Sequence, residues 1–310
     1  ASSDFTVTGD LDLSASADLD LDGATVHVDA SGQMDIAAGA DLNMSAVADL
    51  DLDGATVHVD ASGQMDLAAG ADLNISAVAD LDLDGATVNV DASGAVSIGA
   101  GASSDFTVTG DLDLSASADL DLDGATVHVD ASGQMDIAAG ADLNMSAVAD
   151  LDLDGATVHV DASGQMDLAA GADLNISAVA DLDLDGATVN VDASGAVSIG
   201  AGASSDFTVT GDLDLSASAD LDLDGATVHV DASGQMDLAA GADLNMSAVA
   251  DLDLDGATVH VDASGQMDLA AGADLNMSAV ADLDLDGATV HIDASRQMDI
   301  AAAQTSTSKL

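Results

Sequence analysis

Cysteine, proline, tryptophan and tyrosine are absent from this 310-residue chain, and phenylalanine occurs only as Phe5, Phe106 and Phe207. Without cysteine no disulfide framework can form, and the redox compartment is left open. With so few aromatics, a unique jigsaw core is unexpected; the chain is written almost entirely in Ala, Asp, Leu, Val, Gly and Ser, an alphabet that signals repetition. Cations are as scarce, with Arg296 and Lys309 set against 58 acidic residues, all of them Asp, for a net charge of −56. Nucleic acid and anionic membrane surfaces both need a cationic face, so neither is expected as a partner. No run approaches the ~20 apolar residues of a membrane-spanning helix. The chain opens at Ala1 with no initiator Met and no basic-then-apolar leader, and reads as a processed or excerpted piece of something longer.

Strong acidity usually accompanies disorder, but disordered segments are poor in apolar residues. Here 48% of residues are hydrophobic and their placement is regular, which predicts a packed structure.

The phrase Asp-Gly-Ala-Thr-Val recurs with its glycine at Gly23, Gly54, Gly85, Gly124, Gly155, Gly186, Gly225, Gly256 and Gly287. The steps from Gly23 to Gly54 and from Gly54 to Gly85 are equal, whereas the step from Gly85 to Gly124 is longer by eight, and the same order then repeats. A larger copy therefore recurs every 101 residues, as the three phenylalanines independently show. Copies start near residues 1, 102 and 203, giving a continuous repeat region over 1–300 and a polar tail over 301–310.

The common step divides into Val26 to Gln33, Met34 to Asp41, Leu42 to Asp49 and Leu50 to Thr56, three units of eight residues and one of seven. The longer step adds SDFTVTGD, one more unit, so the building block is an octad. Each octad is apolar at its first and third positions (Val26 and Val28, Met34 and Ile36, Leu42 and Met44, Leu50 and Leu52) with a polar residue between. That alternation predicts a short strand with one buried and one wet face. The small and turn-forming residues behind it predict a corner. A strand-plus-helix solenoid with one coil per common step is the competing reading, disfavoured by abundant Asp, Ser and Gly and by the lack of Glu and of more than two Lys and Arg.

A five-residue strand spans only ~16 Å and cannot bury its apolar pair alone, so octads must stack. Either one chain winds as a β-solenoid with several octads per coil, or three chains intertwine, each forming one side of a prism. An inserted octad throws the sides of a one-chain coil out of phase but merely lengthens a three-chain prism. The fold expected on this ground is all-β: an elongated, intertwined homotrimeric triple-stranded β-helix, with the single-chain β-solenoid as alternative.

Strand-and-corner octads, apolar at positions one and three from Phe5 to about Ile300, resemble the triple-stranded β-helix needles of contractile phage tail spikes and type VI secretion spike proteins. The resemblance implies a rigid, non-catalytic shaft in a virion tail or outside the cell, a homotrimer joined at its ends to other tail, fibre or surface-structure proteins. The chain departs from that family in placing glycine in the corner, as at Gly32, Gly39 and Gly54, and in lacking a His-x-His tip and any oligonucleotide-fold or lysozyme domain.

Chemistry-bearing residues are repeated with the octads. His27, His58, His128, His159, His229, His260 and His291 share the outward position between two apolar residues, with Asn89 and Asn190 in the same place before the longer steps. Outward groups diverge, so these read as surface histidines and not as metal ligands. Asp29, Asp35, Asp41, Asp49, Asp51 and Asp53 recur at fixed intervals, so stacking sets carboxylates in rows where Ca²⁺ is a conceivable ligand and diffuse counterions the default. Catalytic carboxylate pairs need two unlike environments, and identical repeats supply identical ones. No catalytic, cofactor-binding or metal residue is therefore assigned, and no enzyme is expected. The alternative function is a secreted, calcium-dependent β-solenoid adhesin or matrix fibre.

Overall fold

The computed structural model describes residues 3–304 and divides into two units, Ala1–Ala156 and Thr157–Leu310. Both are built the same way. In the first unit, Ser3–Val7 pairs in parallel with Val26–Ala30, Leu11–Ala15 with Gln33–Ala38, and Leu19–Gly23 with Leu42–Ala46. A strand thus meets its neighbour three octads later, and one chain closes each coil by itself. In the second unit Leu174–Ala178 meets Val197–Ala201, and Thr227–Ala240 meets Leu252–Ala271, again in parallel. This is the single-chain β-solenoid.

The coil length follows from the units it contains. Ser3 is opposite Val26 across a coil that includes the shortened unit 19–25, whereas Val26 is opposite Leu50 across three full octads, so the first coil is one residue tighter than the second. Where the short unit lies alongside a full one the register slips: Gly85 faces Ala61, but Thr87 faces Gln64. Glycine permits the tighter corner, since a Cβ at Gly85 would meet Cγ2 of Val88 at 2.8 Å.

Positions one and three point inward, and they are apolar except where the inserted octads place the buried Ser104 and Ser205 at position one. Val26, Met34, Leu42, Leu50, Val57, Met65 and Leu73 are fully buried in the first unit, and Met166, Leu174, Leu182 and Val189 in the second. The fifth residue of the octad also turns in: Ala30, Ala38 and Ala46 are at most 5% exposed. A methyl group there continues the core to the edge of each side, and Val108 and Val209 take the same inward place in the inserted octads. Phe106 and Phe207 are each buried to 1% exposure in the core.

The three-chain expectation is corrected here. Its premise was that an extra octad puts the sides of a one-chain coil out of phase. The sides are interchangeable, however, because every octad turns its first and third residues inward, an apolar pair in the common octads and Ser104 with Phe106, or Ser205 with Phe207, in the inserted ones. The common step, four units on a three-unit coil, already advances one side per repeat: Val26–Ala30 pairs with Leu50–Gly54, while the next Val-His-Val segment, within Thr56–Ala69, stacks on Gln33–Ala38. The inserted octad is one more such advance, and neither an intertwined trimer nor a second chain is needed to bury the core. Of the tail read as 301–310, residues 301–304 belong to the strand Met298–Gln304 and the rest lies outside the described residues.

Candidate functional site: the outward aspartate, asparagine and histidine ladders

The interior is apolar but for Ser104 and Ser205, whose hydroxyls donate to the backbone carbonyls of Asp123 and Asp224, so the ionisable groups lie on the exterior. The residue between the inward pair faces out, and parallel stacking aligns these residues in ladders. One runs Asp12, Asp35, His58, Asp82, Asp105, His128; another runs Asp20, Asn43, Asp66, Asn89, Asp113, Asp136. Because the common step advances by one side per repeat, unlike octads fall next to one another. Asn and His are thereby interleaved with Asp, which relieves the repulsion that an unbroken aspartate column would carry at ~4.8 Å spacing.

The rungs are hydrogen-bonded. Asn43 Nδ2 donates to Asp20 Oδ1 and Asn74 Nδ2 to Asp51 Oδ1, both at 2.8 Å; in the second unit Asn245 donates to Asp222 at 2.7 Å. His58 lies between two carboxylates, with Nδ1 3.1 Å from Asp35 and Nε2 2.6 Å from Asp82. His159 places Nε2 2.8 Å from Asp183, and His260 approaches Asp237 at 3.3 Å. A ring flanked on both sides donates from both nitrogens only as the imidazolium. His27, His58, His159 and His260 are thus spacers within carboxylate ladders, half-exposed and paired with aspartate, a role that their outward position alone did not reveal. They are spread over different sides of the coil: His27 stacks on Asp4 and His58 on Asp35.

Where a longer step inserts its extra octad, carboxylates meet directly. Asp113 is opposite Asp136, Asp183 opposite Asp206, and Asp214 opposite Asp237. Asp113 and Asp214 have their pKa raised by partial burial first and by the adjoining carboxylates second. Asp206 is raised by the same two effects, offset in part by His229.

A second recurring contact sits at the corners. Asp10, Asp41 and Asp72 each accept, through Oδ1, the backbone N–H of the residue after a corner glycine one coil later: Gln33, Gln64 and Ala95, all at 3.0 Å. A Cβ on the intervening Gly32, Gly63 or Gly94 would collide with that same oxygen. Glycine is favoured there by close approach and not by backbone conformation, since no described residue has positive φ. Arg296 stands in this corner position in the last repeat.

An open depression beside His58, lined by Asp35, Asp60, Asp82 and Asp84, is one of the more concave parts of this surface. Asp84 has its pKa raised by partial burial, then by Asp82 and Asp60. Among the described residues no group of three or more His or Asp side chains is arranged to hold a metal ion. What the ladders can do is present a dense, regular and strongly acidic surface.

The closed coil of parallel strands with a largely apolar interior defines the class: a single-chain tandem-repeat β-solenoid. Within it the chain belongs to the family of the TamB C-terminal domain, whose model matches residues 50–287. No curated protein and no solved structure matches. This overturns the resemblance to phage tail spikes and the function and virion or extracellular location drawn from it, because TamB is a family of the bacterial envelope that works with outer-membrane partners. The reason for the misreading is physical. Any stacked short-strand coil shows apolar residues at positions one and three, so that pattern reports stacking and carries no information on lineage.

Proposed function

We propose that this chain is a non-catalytic β-solenoid of the bacterial envelope, acting in outer-membrane protein assembly or lipid transport alongside outer-membrane partners. The family match over residues 50–287 carries the reading. The contribution is made by the exterior. Side chains such as Leu50, Leu52, Met65 and Leu67 fill the coil to 1% exposure or less, so no lipid chain threads this interior. The acidic ladders keep the outer faces hydrated and repel anionic headgroups, and cations, Ca²⁺ among them, act on them as screening counterions.

The test is a domain exchange. Residues 50–287 replace the C-terminal domain of the TamB-family protein in a bacterium whose outer membrane leaks antibiotics when that protein is lost. Recovery of the barrier and of outer-membrane β-barrel protein levels is expected. A chimera that accumulates in the envelope yet restores neither contradicts the reading.

A further inference from the structure

A neutral imidazole carries one N–H donor and an imidazolium two. His58 is placed where that difference counts. The strand Thr56–Ala69 sets it opposite Asp35 of the coil before and Asp82 of the coil after, with Nδ1 3.1 Å from Asp35 Oδ1 and Nε2 2.6 Å from Asp82 Oδ2. As a neutral ring it donates to only one of the two carboxylates, and the other then faces a nitrogen lone pair. Protonation turns that repulsive contact into a second, charge-assisted hydrogen bond.

The surroundings hold the acceptors in place and supply no competing cation. Gln33 Nε2 donates to both oxygens of Asp35, at 2.8 and 3.0 Å, and so fixes the carboxylate beside the ring. Asp60 on the ring's own strand and Asp84 on the strand after stand opposite one another to one side of it, with the uncharged Ala37 in the same place on the strand before. At the corner on the other side Asp80 faces Ser103, whose hydroxyl is 3.4 Å away. Asp12 and Asp105 continue the ladder one coil farther out in each direction. The depression lined by Asp35, Asp60, Asp82 and Asp84 is open, so the ring exchanges protons with solvent. Elsewhere the same octad place is taken by Asn89, between Asp66 and Asp113, and there an amide that does not titrate donates to Asp66 at 2.7 Å.

We propose that His58 is a proton-operated staple: charged, it ties three successive coils together through Asp35 and Asp82, and neutral, it ties only two. The second copy repeats the arrangement at His159, with Nε2 2.8 Å from Asp183, and the third repeats it more loosely at His260, 3.3 Å from Asp237 and 3.8 Å from Asp284. The contribution of the staple is present where histidine is charged and is lost as the pH rises through the ordinary histidine range, roughly 6–7. It makes this side of the coil hold more firmly on mild acidification, and it is independent of the envelope role.

Thermal unfolding of the full chain and of its His58→Asn variant, at about pH 8 and about pH 5.5 and fixed ionic strength, brackets that range and tests the staple. The variant's deficit in melting temperature is expected to be wider at the lower pH by about 1–3 °C. A general effect of net charge is separated by repeating the substitution in an Asp82→Ser background, serine being the residue at the same octad place in Ser97. There the ring keeps one carboxylate, which it serves in either state, so the widening should shrink by about half or more, whereas a general charge effect leaves it whole. Asn89→His, set between Asp66 and Asp113, should in turn raise the melting temperature above that of the parent at the lower pH. Equal deficits at the two pH values, a widening untouched by Asp82→Ser, or no gain from Asn89→His would each overturn the proposal.

Discussion

The backbone N–H of Gln64 donates to Oδ1 of Asp41 at 3.0 Å, across one full coil of the chain. A single carboxylate thereby ties a corner to the coil beneath it, and Gly63 leaves room for it. Gly63→Ala is expected to destabilise by about 1–3 kcal/mol through crowding. Asp41→Ala should cost about 1 kcal/mol through the lost bond. The double variant should cost less than the two together, because removing the carboxylate vacates the space the new methyl needs. Urea unfolding midpoints of the three variants measure this coupling, and simple additivity would count against it.

Asp113 and Asp136 are opposed on adjacent coils, and the pKa of Asp113 is raised. A carboxylate whose folded pKa lies above its unfolded value binds its proton more tightly when folded. Its contribution therefore favours the fold at low pH and is lost as pH rises from 3.8, the ordinary value, through the raised one. Asp113→Asn should stabilise the protein at pH 7 by less than about 1 kcal/mol, as befits half-exposed charges. It should also flatten the rise in melting temperature on acidification toward pH 4. A variant less stable than the parent at pH 7 would show that Asp113 is held by a favourable contact.

The interchangeability of the three sides predicts the outcome of deletions. Removing residues 104–111, one octad, turns every later side by one position and leaves each apolar pair inward. Melting should stay within about 4 °C of the parent. Removing only residues 104–107 leaves half a side, misplaces the next corner, and should cost a large part of the parallel-strand circular dichroism signal.

With a net charge of −56, the folded state is held against its own repulsion. Raising monovalent salt from about 0.01 M to about 0.15 M shortens the screening length from about 30 Å to about 8 Å and should raise the melting temperature. Magnesium or calcium at equal ionic strength should add a modest, non-saturating increment; sharp saturation would reveal a resident cation site.

The octad, its inward pair and its corner were legible in the sequence because alternation is local and survives repetition. The number of octads per coil was not. The conspicuous Asp-Gly-Ala-Thr-Val phrase, which returns every four units, hides a three-octad coil, and only the cross-coil register, such as Ser3 on Val26 and Val26 on Leu50, exposes it. The ladder partners were hidden for the same reason: His58 meets Asp35 on the coil before it and Asp82 on the coil after it, spacings that belong to the coil and not to the repeat. The inward alanine at the fifth position was read as part of the turn because its small size suits both roles.

The central claim is that one chain closes each coil. Asp51 and Asn74 are paired across adjacent coils of the same chain, with Asn74 Nδ2 2.8 Å from Asp51 Oδ1. In the doubly substituted Asp51→Cys, Asn74→Cys chain, oxidation at low protein concentration should form a disulfide within one chain. The expected product has the monomer mass of about 30.1 kDa and gains thermal stability. Disulfide-linked trimers or larger species as the main product, with no intrachain bridge, would contradict the single-chain solenoid.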